Sequence, residues 1–347
     1  MAILRALAFG YFMKFFVITI FCALQLVACS EPRISVDAIK GKTMGTTYSI
    51  LWTPKLSVSL SGTIQSEIDS LLMSLNSQMS TYDPSSELSL FNSKKAPASQ
   101  EISTQFSDVI SLSLSLSELT GGLFDVTVGP LVNLWGFGPD KTPIKAPTNK
   151  KIQEILKNIG SKGISLNQGV LSKTDPRYID LSAIAKGYAV DAVAELLDQH
   201  DINDYLVEIG GEMKAKGVKS PGVSWKIAIE TPDLLVRKVH KILPVTDISI
   251  ATSGDYRNYF ELEGRRYSHS INPKTGKPVE HSLASVTILD ESCARADALA
   301  TAMLVMGMDK AKEFSELNDI KAYLIVRDQE GEFIEHLSPA FAGWLSP

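Results

Sequence analysis

The pattern of apolar and polar residues predicts alternating helices and strands along most of the chain. Apolar side chains recur with a helical period between Ile64 and Leu75, which predicts a helix over 64–79 that ends ahead of Pro84. The same kind of pattern predicts further helices over 106–119, 150–159 and about 180–197, and strands over 36–52, 204–212, 225–230 and 248–252. A last strand begins at Tyr267, carries a single histidine, His269, and runs into a Pro/Gly turn.

The segment 293–307 predicts a buried helix with one polar edge. Alanine, leucine and methionine dominate it, and Gly307 is a natural helix stop. Asp297 and Thr301 are four residues apart, so their side chains share one face of the helix. A carboxylate and a hydroxyl at this spacing can hold Mg²⁺, which prefers oxygen ligands together with substrate phosphates. The alternative is that Asp297 forms local hydrogen bonds and Thr301 packs in the core. Buried acids are normally paired, so this acid needs a partner elsewhere in the chain.

The first residues predict export and a lipid anchor. Arg5 and Lys14 precede an apolar run that ends in small residues before Cys29, which is the pattern of a secretory signal. Because a cysteine follows the small residues, the segment resembles a bacterial lipoprotein signal in which Cys29 is lipidated. A transmembrane anchor is the alternative, although the run is shorter than the ~20 residues that a span needs. The prediction is a signal peptide over 1–28, a lipidated tether over 29–35 and one domain over 36–347. The same resemblance implies, from Ser30 after the cysteine, an anchor on the periplasmic side of the outer rather than the inner membrane.

Composition and charge exclude several classes of function. Removal of 28 of the 347 residues leaves 319, enough for one or two closely packed domains, and shifts the formal net charge from −5 to −7. An acidic chain without a basic cluster argues against nucleic-acid binding. Of the three cysteines only Cys293 would remain free, so a disulfide framework or a multi-thiolate metal site is excluded.

Glycine-rich loops and a helix start point to a bound phosphate and a planar ligand. The chain between 121 and 138 is rich in glycine, which suits close contact with a ligand. Asp180 or Ser182 is predicted to cap the helix that follows, where free backbone N–H groups and Lys186 would favour a phosphate. The alternative is an ordinary capped helix with a solvated lysine. Tyr82 lies at a helix-to-loop corner and is either a stacking platform or a surface residue. No P-loop, dinucleotide or Gly-x-Ser-x-Gly motif is present.

Seven segments together resemble the ApbE family of FAD:protein FMN transferases, whose members are often periplasmic lipoproteins. They are MGTT at 44–47, MSTYDP at 79–84, FDVTVGPLVNLWGFG at 124–138, DLSAIAKGY at 180–188, ATSGDYRNY at 251–259, SHSINP at 268–273 and ADALAT at 296–301. The resemblance implies an α/β (α+β) fold of two closely associated mixed α/β lobes, with FAD in the cleft between them.

The resemblance also implies a set of site residues. Flavin contacts are expected from Met44, Tyr82, Leu123, Phe124, Asp125, Asp180, Lys186, His269 and Ile271. Mg²⁺ ligands are expected from the side chains of Asp297 and Thr301 and the backbone carbonyl of Ala183. The chain departs from some relatives in two places: Lys186 stands where family members can carry an acid, and Ala300 stands where some have a second aspartate.

The implied reaction is the Mg²⁺-dependent transfer of the FMN moiety of FAD to a Thr or Ser hydroxyl of an acceptor protein, with release of AMP. Expected acceptors are subunits of membrane redox complexes. Asp297, Thr301 and His269 are the candidate catalytic residues, with His269 as general base, orienting group or simple flavin contact. Two other functions stay open: an Mg²⁺-dependent FAD pyrophosphatase that yields FMN and AMP, and a non-catalytic periplasmic FAD-binding lipoprotein.

Overall fold

An eight-stranded antiparallel sheet organises the fold. The computed structural model describes residues 36–346 except 55–60, 139–145, 234–237, 256–258 and 263–264. The predicted signal peptide, Cys29, the tether and the motif residues Tyr256, Arg257 and Asn258 lie outside these described residues.

Seventeen strands are described. They are β1 Asp37–Thr43, β2 Thr46–Trp52, β3 Ala98–Glu101, β4 Ile164–Asn167, β5 Val170–Lys173, β6 Tyr205–Ile209, β7 Glu212–Lys216, β8 Trp225–Glu230, β9 Val239–Val245, β10 Ile248–Gly254, β11 Tyr259–Leu262, β12 Arg265–Ser268, β13 Ile271–Asn272, β14 Lys277–Pro278, β15 Leu283–Asp290, β16 Lys321–Arg327 and β17 Phe333–Leu337. The large sheet has the order β1-β2-β6-β7-β10-β15-β16-β17, and β3-β5-β4, β8-β9, β11-β12 and β13-β14 form smaller sheets.

The described α-helices pack on and around these sheets. They are α1 Ser61–Met79, α2 Glu87–Ser93, α3 Thr104–Leu119, α4 Gly129–Leu134, α5 Asn149–Leu156, α6 Ala185–Gln199, α7 Cys293–Met306, α8 Met308–Leu317 and α9 Pro339–Leu345. Helices and a large sheet in one chain confirm the predicted mixed α/β class. None of the helices in the described part of the chain has both the length and the apolar character needed to cross a bilayer.

Helix α7 lies at the centre of the main core. Eleven of its residues are buried, and it packs against α6, β10 and β15. The prediction of a buried helix that stops at Gly307 is confirmed. A smaller core of Leu131, Trp135, Ile152 and Ile271 lies apart from the main one.

The structure corrects three local predictions. Residues 36–52 form a hairpin rather than one strand, because Met44 and Gly45 both adopt left-handed backbone angles (φ 48° and 72°) and reverse the chain. The helix predicted from about 180 begins at Ala185, since Asp180 accepts hydrogen bonds from the backbone and hydroxyl of Ser182 and forms a turn instead of a cap. His269 lies in a bend between β12 and β13 and not within a strand.

Candidate active site

One cleft of about 1250 Å³ brings the predicted site residues together. Every candidate flavin and metal residue from the sequence lines it: Met44, Tyr82, Leu123, Phe124, Asp125, Asp180, Ala183, Lys186, His269, Ile271, Asp297 and Thr301. Phe124 belongs to the main core and Ile271 to the smaller one, so the cleft borders both.

Asp297 forms the buried floor of the cleft. Its side chain is 4% exposed, and Oδ2 accepts a hydrogen bond of 3.2 Å from the Gly187 backbone N–H. The same oxygen lies 3.7 Å from the Lys186 ammonium. The start of α6 therefore supplies two partners for the buried acid, which the sequence analysis expected to be paired elsewhere in the chain.

The contact between α6 and α7 depends on a glycine. A Cβ at Gly187 would lie 2.4 Å from the Cys293 carbonyl oxygen and 2.8 Å from Ala294 Cα. Only glycine lets the two backbones approach so closely, and this approach carries the Gly187 N–H to Asp297. A carboxylate at a helix N-terminus is also favoured by the helix dipole.

Glu212 completes the charged floor and was missed by the sequence analysis. It is 5% exposed, and its Oε1 lies 2.9 Å from Lys186 Nζ. Burial, and next the Asp297 carboxylate, raise the pKa of Glu212 to about 7, against the opposing effect of Lys186. Burial disfavours the charge on Lys186, but Asp297 and Glu212 outweigh it and raise the pKa of the ammonium above its usual value. The available signal was an acid directly after the Gly210–Gly211 turn.

Thr301 lies one turn beyond Asp297 and is half-buried. Its hydroxyl is 3.0 Å from that of Ser253 at the end of β10, which fixes its position in the cleft. Carboxylate, hydroxyl and backbone carbonyl oxygens are ligands that suit Mg²⁺, so Asp297, Thr301 and Ala183 fit the ion by type. Across the described residues no group of three or more His, Cys, Asp or Glu side chains is placed to hold a metal. An ion here would need its remaining ligands from a substrate or water.

Two acids form one wall of the cleft. Asp125 is buried and accepts hydrogen bonds from the Thr127 backbone (2.8 Å) and hydroxyl (2.6 Å). Burial raises the pKa of Asp125 despite these bonds. The backbone N–H of Asp180 donates to the Val126 carbonyl at 2.7 Å, which joins the two acidic segments.

Asn92 fixes the segment that carries Asp180, and no sequence pattern indicated this role. Its side-chain amide donates to the Ile179 carbonyl and its side-chain oxygen accepts from the Ile179 N–H, both at 2.8 Å. Ile179 is therefore held from both sides by a single side chain.

Aromatic residues hold the wall that carries His269. Trp135 stacks on Tyr267 with ring centroids 5.5 Å apart and donates its indole N–H to the Gly276 carbonyl at 2.8 Å. The Phe137 ring meets the His269 ring edge-on at 6.3 Å. On the rim, Tyr82 is 68% exposed, so its ring is available to stack on a planar ligand.

Known proteins that are similar to this chain in sequence and in structure are flavin transferases. A curated "FAD:protein FMN transferase" of Vibrio cholerae is 44% identical over 335 residues, which span 96% of this chain and 100% of the relative. The solved structure of the flavin transferase ApbE from Vibrio cholerae matches with a TM-score of 0.83 at 44% identity, over 89% of this chain and 99% of that one. The apo form of the flavinyl transferase ApbE of Pseudomonas stutzeri also matches with a TM-score of 0.83, at 37% identity over 90% and 98% of the two chains. The model of the ApbE family matches residues 44–324, and the chain belongs to this family.

Proposed function

We propose that this chain is an FAD:protein FMN transferase. In this reaction a Thr or Ser hydroxyl of an acceptor protein bonds to the phosphorus of the FMN moiety, the pyrophosphate bond of FAD breaks, AMP leaves and the hydroxyl proton passes to a base. The observation that carries the proposal is that twelve residues, chosen from six separate parts of the chain, line one cleft. The curated names of relatives that match nearly the whole chain support it.

The cleft walls are proposed to bind the flavin. Tyr82 and Met44 lie at the rim, and the segment Leu123–Asp125 and Ile271 offer apolar surface together with one buried carboxyl. Asp125 and Asp180 would accept hydrogen bonds from polar groups of FAD. Such positioning and electrostatic complementarity do most of the work in phosphoryl-type transfer.

Asp297, Thr301 and the Ala183 carbonyl are proposed to hold Mg²⁺. Bound there, the ion would neutralise charge on the pyrophosphate as its bond breaks. With both acids ionised, Asp297, Glu212 and Lys186 carry a net charge of −1 in a buried place, which favours a cation. The Ser253 hydroxyl keeps Thr301 in place for this role.

His269 is proposed to accept the proton of the attacking hydroxyl or to orient that hydroxyl. A neutral imidazole is a suitable base near neutral pH, and His269 lines the same cleft as Asp297. The aromatic contacts of Phe137, Trp135 and Tyr267 would hold it there.

Acceptor and location are proposed from the family resemblance. The acceptor would be a subunit of a membrane redox complex, and Cys29 would carry the lipid that anchors the enzyme at the periplasmic face of the outer membrane. An acceptor at a membrane and an enzyme tethered to a membrane would meet more often than two free proteins.

Mass spectrometry separates the three candidate functions. Residues 36–347 form one compact unit, so protein from Ser30 onward carries the whole cleft and can be incubated with FAD, Mg²⁺ and an acceptor protein. Covalent FMN on the acceptor, together with AMP, supports the transferase. Free FMN and AMP without an adduct would identify a pyrophosphatase, and unchanged FAD would identify a binding protein. Reactions with EDTA in place of Mg²⁺ serve as controls.

A further inference from the structure

Lys186 lies between two buried carboxylates and is shared unequally. Its ammonium is 2.9 Å from Glu212 Oε1, within hydrogen-bond distance, and 3.7 Å from Asp297 Oδ2, beyond it. Both described contacts of Asp297, from Lys186 and from the Gly187 N–H, are made by the same oxygen. The lysine therefore donates a hydrogen bond to Glu212 and balances the negative charge of Asp297 only in part.

The β6–β7 turn sets this arrangement. Gly210 has a left-handed φ of 64°, and a Cβ there would lie 3.2 Å from Lys186 Cδ, so the stem of the lysine runs directly along the turn. The Gly211 N–H donates to Glu208 Oε1 at 2.8 Å, which stabilises the turn just before Glu212. The place of the Lys186 ammonium thus follows from the backbone of this hairpin.

Stability alone does not account for an acid at position 212. Glu212 Oε2 is buried and has no hydrogen-bond partner among the described residues. A buried oxygen left without a partner is destabilising, because it has given up its hydrogen bonds to water. Such a cost is typical of groups that are kept for a role in the site.

We infer that Glu212 is a positioning residue that holds the Lys186 ammonium away from Asp297 and so keeps Asp297 available to a divalent cation. The inference rests on the proposed binding of Mg²⁺ at Asp297. Without the charge of Glu212, Lys186 would close on Asp297 as an ion pair, and the net charge of the three groups would change from −1 to zero. Both changes weaken the attraction for a cation.

Mn²⁺ binding to the full chain in detergent tests the inference without relying on activity. Free Mn²⁺ is followed by electron paramagnetic resonance, with and without FAD, for wild type, E212Q, K186M and E212Q/K186M. Gln keeps the shape of Glu and can still accept a hydrogen bond from Lys186. E195Q removes one charge from an exposed position of helix α6 outside the cleft and is the matched control.

We expect E212Q to raise the Mn²⁺ dissociation constant about tenfold or more, which corresponds to ~1.4 kcal/mol. The double variant should return to within about threefold of wild type, K186M should bind Mn²⁺ no more weakly than wild type, and E195Q should be unchanged.

Other outcomes overturn the inference in distinguishable ways. Unchanged Mn²⁺ affinity in E212Q, or weaker binding in K186M, would show that Lys186 does not compete with the ion. A double variant that stays as weak as E212Q would show that Glu212 contacts the ion itself. If wild type binds no Mn²⁺ even with FAD, the metal assignment of the proposed function fails as well.

Discussion

A single methyl group added at Gly187 should disturb both the fold and the site. Helix propensity alone favours Gly187→Ala, because alanine in place of glycine in a helix gains up to about 1 kcal/mol. The structure predicts the opposite sign. The new Cβ would lie 2.4 Å from the Cys293 carbonyl oxygen, whereas ordinary contacts are 3.4–4 Å, so α6 and α7 must separate by roughly 1 Å.

The size of the stability change in Gly187→Ala follows from two opposing effects. Overpacking of a rigid interior typically costs about 1–3 kcal/mol, and backbone atoms on both sides leave little room to relax. The overpacking cost should therefore lie in the upper part of this range, at about 2–3 kcal/mol, and subtraction of a helix-propensity gain of about 1 kcal/mol leaves a net loss of about 1–2 kcal/mol. At roughly 2–4 °C per kcal/mol, the Tm should fall by about 2–8 °C. Separation of the helices would also displace Asp297 relative to the start of α6, so Mn²⁺ binding should weaken because the proposed ligands no longer lie together.

Thermal unfolding followed by circular dichroism measures the effect, with Gly343→Ala as the matched control. Gly343 lies in helix α9, and a Cβ there would meet nothing within 4 Å. The Tm of this control should equal or exceed that of wild type, because the added methyl group causes no clash and alanine is the better helix former. If Gly187→Ala melts at or above the wild-type temperature, the close approach of α6 and α7 does not limit this position, and the reasoning is refuted.

Two further predictions concern the acidic wall and the sheet edge. Asn92→Ala removes both hydrogen bonds to Ile179 and leaves buried backbone groups unpaired. Urea unfolding should therefore show that the free energy of unfolding falls by about 1–3 kcal/mol, and the dissociation constant for FAD should rise. Unchanged FAD affinity would show that Asn92 does not position Asp180. Burial opposes ionisation of Glu335, but the hydrogen bond and charge of Lys241 at 3.0 Å, together with His240, outweigh it and lower the pKa of the carboxyl below its usual value. A carboxyl whose pKa is lower in the folded state than in the unfolded state stabilises the fold at a pH above its unfolded-state pKa. This stabilisation is lost as the pH falls through the folded-state pKa. Glu335→Gln should therefore cost below about 1 kcal/mol at pH 7, because the pair is partly exposed, and the difference from wild type should shrink as pH falls below the usual pKa of a glutamate. A difference that stays constant as the pH falls would contradict this.

Elements with a strong local pattern were predictable from the sequence. The helix predicted over 64–79 is Ser61–Met79, and the strand predicted over 225–230 is Trp225–Glu230. Local periodicity determines both, since each buries one regular face. The hairpin of β1 and β2 was missed because both strands alternate in the same way, and Met44 is an uncommon residue at positive φ.

The charged floor of the cleft could not be predicted in detail because its contacts join distant parts of the chain. Gly187 and Asp297 are 110 residues apart, and their hydrogen bond exists only because two helices meet at a glycine. A helical pattern shows that Asp297 and Thr301 share a face but not which groups lie opposite. Glu212 looks like an ordinary hairpin residue until the fold places it beside Lys186.

The catalytic role of Asp297 is the central claim, and transfer of FMN to an acceptor tests it most directly. Wild type and Asp297→Asn are compared at saturating FAD and Mg²⁺, with the FMN adduct on the acceptor counted by mass spectrometry over time. The predicted result is steady accumulation with wild type and a rate at least about 100-fold lower with the variant, whose near-isosteric side chain has lost its charge. An Asp297→Asn variant that forms the adduct at the wild-type rate would contradict the account.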